Sequence, residues 1–184
     1  MIYPESICEK ARRPKHVGRC SVENGSGRAA SFVCGSSLRF SINIESESKR
    51  IIEIKYETNG CGYAIAAAEA LAEQLEGIRL PEFSSASRNL NEVAARREHC
   101  NALVNESFSA ALADHRQRTI AEFHGDTALI CTCFGVSEDT ILDVIATKSA
   151  KTVSEVSAAC NAGSGCGSCQ MLIQELIDST TVNK

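Results

Sequence analysis

The 184-residue chain has no long apolar run, no surplus of positive charge, no internal repeat and no low-complexity segment. Its most apolar stretch, residues 63–72, is alanine-rich and interrupted by Glu69. That is far short of the roughly 20 residues a bilayer span needs. The opening MIYPESICEKARRPK carries basic residues but lacks the apolar centre of a secretion signal. A net charge of −4 and a pI near 5.6 argue against nucleic acid or an anionic membrane as partner, since both attract basic proteins. No acid–base pair suggests catalysis, and His16, His115 and His124 are scattered and read as surface positions. The expectation is a cytoplasmic protein that is not an enzyme. With 23 % charged and 43 % hydrophobic residues, the chain has an ordinary globular composition.

Cysteine is the residue in excess, with ten copies. In a reducing compartment thiols stay reduced, and clustered cysteines then point to metal binding or redox chemistry rather than to disulfides.

Two period-two runs come first. Leu38, Phe40, Ile42 and Ile44 alternate with polar residues, as do Ile52, Ile54 and Tyr56, and the polar residues 45–50 suit a hairpin loop. A third strand is expected at Ala30 to Cys34. Tyr63 to Glu76 reads as a helix ended by Gly77. Leu80-Pro81 opens a polar connection through Asn89. Asn101 to Arg118 then reads as a helix with Leu103, Val104, Phe108, Ala111 and Leu112 on one face. A break is expected at His124-Gly125-Asp126. Beyond it only short helices are predicted: one capped by Ser137, one opened by the capping box Thr152 to Glu155, and one from Gln170 with Met171, Leu172, Leu176 and Ile177 apolar. The fold class is therefore α+β. A small antiparallel sheet covered by helices fills residues 1–122, and a small all-α domain fills residues 127–180. A unit of that second size gains from a metal cluster as a staple.

Cys131-Thr132-Cys133 and Cys166-Gly167-Ser168-Cys169 form the tighter cysteine set. Four thiolates suit soft metals, and spacing leaves zinc and [2Fe–2S] equally open. Gly163, Gly165 and Gly167 would let backbone N–H groups approach the sulfurs of an anionic cluster. Cys169 at a helix start is expected to have a lowered thiol pKa. The stretch CTCFGVSEDTI…CNAGSGCGSC resembles the bacterioferritin-associated ferredoxin domain, which occurs alone and in the middle of NifU proteins. That resemblance implies a permanent [2Fe–2S] cluster on Cys131, Cys133, Cys166 and Cys169. Cys160 lies outside the pattern and reads as a packed helix residue.

The second set is dispersed: Cys34-Gly35, Gly60-Cys61-Gly62 and His99-Cys100, each at the edge of an expected element. Spacing alone does not make these a shared site. However, Pro14-Lys15-His16-Val17-Gly18, Phe32-Val33-Cys34-Gly35, Thr58 to Ala66 and Glu98-His99-Cys100 resemble the IscU/NifU assembly scaffold. The resemblance implies that Cys34, Cys61 and Cys100, with His99 as a further ligand, hold a nascent cluster. The family's Cys-Gly-Asp is here Cys34-Gly35-Ser36, which replaces a hard carboxylate by a poorer hydroxyl ligand. The chaperone-recognition stretch Leu-Pro-Pro-Val-Lys is replaced around Ala94-Ala95-Arg96-Arg97. The final Cys-x-x-Cys domain of NifU proteins has no counterpart, so the chain reads as a shortened NifU. Cys8 and Cys20 match nothing in the pattern and read as incidental.

The resemblance implies a scaffold for iron–sulfur cluster assembly. A cysteine desulfurase would deliver sulfur, preferentially to Cys100, and an electron donor would reduce it. Iron would bind the same thiolates, and recipient apoproteins would take the finished cluster, with a homodimer left open. Two alternatives stand beside it: a persulfide acceptor with zinc on the N-terminal cysteines, and a ferredoxin-like electron carrier.

Overall fold

The computed structural model describes residues 3–80, 97–123 and 127–182. The connection expected after Pro81 and the break at residues 124–126 lie outside the described residues. The chain divides into two compact units, Met1–His115 and Arg116–Lys184.

The first unit is built on an antiparallel sheet of order β1-β2-β3, comprising β1 (Gly25–Ala30), β2 (Ser37–Ile44) and β3 (Ile51–Thr58). Along β2 the alternation holds, and Leu38, Phe40, Ile42 and Ile44 are all buried. Along β3 the phase slips. Asn43 pairs with Glu53 but Ile44 pairs with Ile51, so a bulge sends Ile51 into the core and leaves Ile52 exposed.

The third strand lies five residues earlier than the sequence suggested, because its signal is glycine rather than hydrophobicity. A Cβ on Gly27 would sit 2.1 Å from the Ala111 backbone nitrogen, so the helix backbone rests directly on β1. That helix is α3 (Glu98–Ala121) once α1 (Glu5–Arg12) and α2 (Gly62–Leu75) are counted. The buried Ser107 of α3 accepts from the Phe40 N–H at 3.2 Å and lies 2.9 Å from the Gly27 carbonyl. Leu103, Val104, Phe108 and Ala111 face the core, and Phe108 meets Phe40 edge-on at 5.8 Å.

Helix α1, which the sequence did not signal, buries Ile7 and is tied to α2 by the Lys10–Glu73 ion pair. Nine of the 14 residues of α2 are buried, including Glu69 at 2 % exposure. Its carboxylate accepts from the Lys15 N–H at 2.8 Å and the Tyr56 hydroxyl at 3.1 Å, and lies 2.8 Å from His16 Nδ1. His16 is thus a buried anchor at 5 % exposure, not the surface residue expected. Burial alone would raise the Glu69 pKa, but the Lys15 and His16 donors outweigh it and hold the carboxyl below its usual range.

The second unit holds α4 (Glu138–Lys148), α5 (Val153–Cys160) and α6 (Gln170–Val182). Ser137 caps α4 by accepting from the Thr140 N–H at 3.3 Å, and Thr152 with Glu155 completes the capping box of α5. Two features depart from the sequence reading. A short ladder of β4 (Leu129–Cys131) and β5 (Val136–Ser137) joins the helices. On α6 it is Ile173 and Ile177 that turn inward, while Met171 and Leu172 are exposed, because the packed stripe follows the i, i+4 spacing. Among the described residues no helix is long and apolar enough to cross a membrane.

Candidate metal centres

Three elements bring the dispersed cysteines of the first unit together. After β1 the chain closes a tight loop, with the Ser31 N–H donating to the Ser36 carbonyl at 2.8 Å and the Gly35 N–H to the Ser31 carbonyl at 2.8 Å. Gly35 takes φ +70°, a conformation that favours glycine, and Cys34 sits exposed at the loop tip. The loop before α2 is tied to the same place. The Ser37 N–H donates to Asn59 Oδ1 at 2.6 Å, and the Gly60 N–H donates to Thr58 Oγ1 at 3.0 Å. Cys61, the N-cap of α2, is exposed beside it. From the start of α3 comes His99, followed by Cys100.

Cys34, Ser36, Cys61 and His99 line one cavity of about 430 Å³, with Tyr63 and Arg97. Cys100 lies behind it at 1 % exposure, hydrogen-bonded to Cys61. Ser36 stands where the carboxylate was missed, and its hydroxyl is 3.3 Å from Cys34 Sγ.

The thiols differ sharply. Hydrogen bonds from the Ser36 side chain and backbone, and from Ser31, lower the Cys34 pKa. Burial first, and then Cys61 and Cys34, push Cys100 up to about 11. The helix start does not lower Cys100, because desolvation outweighs the dipole.

Four cysteines meet in the second unit. The β4–β5 ladder and its turn present Cys131 and Cys133, with Gly135 at φ +64° closing the turn. Cys133 Sγ lies 3.3 Å from Cys166 Sγ, and Cys131 is hydrogen-bonded to Cys169. Cys131 and Cys169 are buried, while Cys166 is exposed. A Cβ on Gly165 would fall 3.1 Å from Cys133 Sγ, so the glycine-rich turn lies directly against the sulfur. Hydrogen bonding by Ser168, whose hydroxyl is 2.7 Å from Cys166 Sγ, brings that thiol down to about 7. Cys169 goes the other way. Burial and the neighbouring Cys131 push it up to about 11, against the lowering expected at a helix start.

All ten cysteines are thiols without a disulfide. Among the described residues no group of three or more His, Cys, Asp or Glu side chains is already arranged around a metal position. The thiols instead bond to each other and to hydroxyls, as protonated sulfur does. The donor set itself fits a [2Fe–2S] group: four soft thiols in two pairs, each iron needing two, with glycine backbone at the sulfurs. The first site offers a harder and more open donor set, with two exposed thiols and an imidazole on the cavity and the buried Cys100 behind them.

Cys160, in α5, bonds the Val156 carbonyl at 3.3 Å, and Cys20 is buried against the Ser41 carbonyl at 3.1 Å. The sequence reading did not single out Tyr3, Asn59, Tyr63 or Arg97. Of these, Asn59 and Tyr63 fall in the matching stretch Thr58 to Ala66 beside Cys61, and Arg97 lies two residues before His99.

Comparison with known proteins accounts for both units. Residues 2–122 match the model of the NifU-like N-terminal domain, and residues 129–179 match the BFD-like [2Fe-2S] binding domain. The nitrogen fixation protein NifU of Nostoc sp. (strain PCC 7120) is 32 % identical over 196 residues, covering 99 % of this chain and 65 % of that protein. The chain thus spans just under two thirds of that curated relative. The iron-sulfur cluster assembly scaffold protein IscU of Escherichia coli is 30 % identical over 133 residues, covering 66 % of this chain and 100 % of IscU. The N-terminal part of a nitrogen-fixing NifU-like protein from Brucella abortus has the same fold. Its TM-score is 0.52 at 16 % identity, covering 66 % of this chain and 96 % of that one.

Proposed function

The chain belongs to the family of the NifU-like N-terminal domain, and on that premise we propose that it is a scaffold on which iron–sulfur clusters are assembled. The observation that carries the reading is the meeting of Cys34, Cys61, His99 and Cys100, from three elements far apart in sequence, at one open cavity. Three thiols and an imidazole bind iron, yet Cys34, Cys61 and His99 line a solvent-open cavity, which leaves the product able to depart. Cys131, Cys133, Cys166 and Cys169 hold a resident [2Fe–2S] group, which when bound supplies one-electron redox chemistry. The backbone around Gly165 and the Ser168 hydroxyl support the sulfurs of that site, and burial of Cys131 and Cys169 keeps water from half of it.

Sulfur from a cysteine desulfurase enters at an exposed thiol. The resemblance pointed to Cys100, but its burial and raised pKa favour Cys34 or Cys61 as the first recipient, with Cys100 engaged afterwards. Recipient apoproteins then take the cluster, and an electron donor serves the resident site. The chain performs no acid–base catalysis in this reading. Its domains run from residues 1–122 and 127–180, and it works in the cytoplasm. Zinc at the N-terminal site is the alternative, held by the same three thiols and imidazole, since no carboxylate lines the cavity among the described residues.

The test is iron and acid-labile sulfide in the full chain purified under argon. About two irons are expected as isolated. Reconstitution with ferrous iron, cysteine and a desulfurase should add more, and Cys61→Ala and Cys100→Ala should abolish the addition alone. If nothing is added to the wild type, the scaffold reading fails. If zinc alone binds there, the persulfide-acceptor alternative takes its place. Full function in both variants would leave an electron carrier.

A further inference from the structure

Nothing so far uses Arg97. Its guanidinium lies 5.2 Å from the centre of the Tyr63 ring, on the wall of the cavity that Cys34 and Cys61 share. Tyr63 is in turn met edge-on by Tyr3 at 5.1 Å, and Tyr3 also lines the cavity. An arginine held on an aromatic face has lost much of its freedom and keeps its fork of donors pointed one way. The Gly62 position is part of this packing, since a Cβ there would come within 3.2 Å of the Tyr3 ring.

The remaining wall is uncharged or weakly basic. Among the described residues lining the cavity, Arg97 carries the fixed positive charge and none is a carboxylate. The field of Arg97 reaches the sulfurs of both Cys34 and Cys100. Such a cavity attracts anions to its thiols and repels nothing negative. The anion that sulfur delivery presents is a persulfide, which is more acidic than a thiol and ionised at neutral pH. Its charge is diffuse and poorly hydrated, which suits a guanidinium better than an ammonium.

We propose that Arg97 is a positioning residue for sulfur transfer, drawing an anionic sulfane-sulfur donor into the cavity and holding the persulfide formed on Cys34. This rests on the reading that the cavity receives sulfur. In the step, the Cys34 sulfur attacks the terminal sulfur of the donor persulfide. The donor's S–S bond breaks and a new S–S bond forms on Cys34. The Cys34 proton ends on the departing donor thiol, and the sulfane sulfur keeps its oxidation state, so no outside electron is needed. Arg97 faces negative charge before and after the transfer.

The test uses the full chain under argon and two reagents of nearly equal size, anionic iodoacetate and neutral iodoacetamide, with Cys34 and Cys61 followed separately by peptide mass spectrometry. The ratio of the two rates cancels each thiol's ionisation and access, so a merely structural effect leaves it in place. In Arg97→Gln the ratio at Cys34 should fall about five-fold, the size expected for one partly exposed charge. Arg97→Lys should restore most of it. With sodium polysulfide as donor, persulfide on Cys34 should form several-fold more slowly in Arg97→Gln than in wild type. An unchanged ratio, or persulfide formed at the wild-type rate, overturns the role of Arg97. A wild type that gains no persulfide on any of the three thiols overturns the sulfur-receiving reading itself, and the proposal with it.

Discussion

The two thiol-rich regions present their cysteines in opposite settings. In the second unit four cysteines arrive on two short segments, meet in pairs, and are backed by glycine turns and a packed helix start. In the first unit three cysteines arrive on the tip of a loop, a helix cap and the first turn of a long helix, and two of the three remain exposed. What differs is how much of the surrounding backbone each ligand shares with its neighbours. Ligands paired on a short turn move together, so losing a metal held by two such pairs means opening a turn. Ligands on separate elements move apart with little loss of packing. On the scaffold reading proposed above, strong grip and easy release follow from how the ligands are connected along the chain.

The largest expected effect breaks the comparison outright. Cys169→Ala should remove the resident metal, taking iron as isolated from about two per chain to none, while Cys34→Ala should leave that figure unchanged. Iron and sulfide assay of both variants decides it.

The second sharpens the contrast within one site. In metal-free protein at pH 8, Cys166, at about 7, is mostly thiolate, whereas Cys169, at about 11, is ionised in about one molecule in a thousand. The less basic thiolate is intrinsically slower by about forty-fold, so alkylation should still favour Cys166 well over tenfold, helped by the burial of Cys169. The Cys166 rate should level off above about pH 8, one unit past its pKa of about 7, while that of Cys169 keeps climbing.

The third concerns the frame on which the looser site stands. Glu69→Gln should cost about 3 kcal/mol in denaturant unfolding at pH 7, because buried donors from Lys15, His16 and Tyr56 lose a charged acceptor. Since the folded Glu69 pKa lies below the unfolded 4.5, its contribution is complete above that pH and fades as pH falls through the folded value. The difference between variant and wild type should shrink accordingly in acid. Smallest is Thr152→Ala, which removes the capping box of α5 and should cost about 1 kcal/mol, read as a lower melting temperature of the second unit.

Much of this organisation was legible beforehand, and unevenly so. The strand β2 and the helices α2 to α6 announced themselves through periodicity and caps, because those signals are local. β1 did not, since its information is the absence of side chains at Gly25 and Gly27, which matters only once α3 lies on top. The bulge that exposes Ile52 was hidden for a similar reason, as it depends on the pairing partner. His16 read as a surface residue because its partners, Glu69 and Glu76, lie more than fifty positions away. Cys131, Cys133, Cys166 and Cys169 were visible as a set from spacing, whereas Cys34, Cys61 and Cys100 needed a resemblance to be grouped. The helix-start argument gave the wrong direction for Cys169, because a dipole is a local property and burial is not.

By itself the sequence determined the elements with regular periods, the chemistry of the donors and the tight spacing of the second cysteine set, all of which depend on residues within a few positions of each other. Tertiary structure alone decided which thiols are buried, that Cys34, Cys61 and His99 share one cavity, and that Arg97 on the Tyr63 ring faces it. Solvent exclusion and electrostatic fields are set by whatever packs nearby, however distant along the chain.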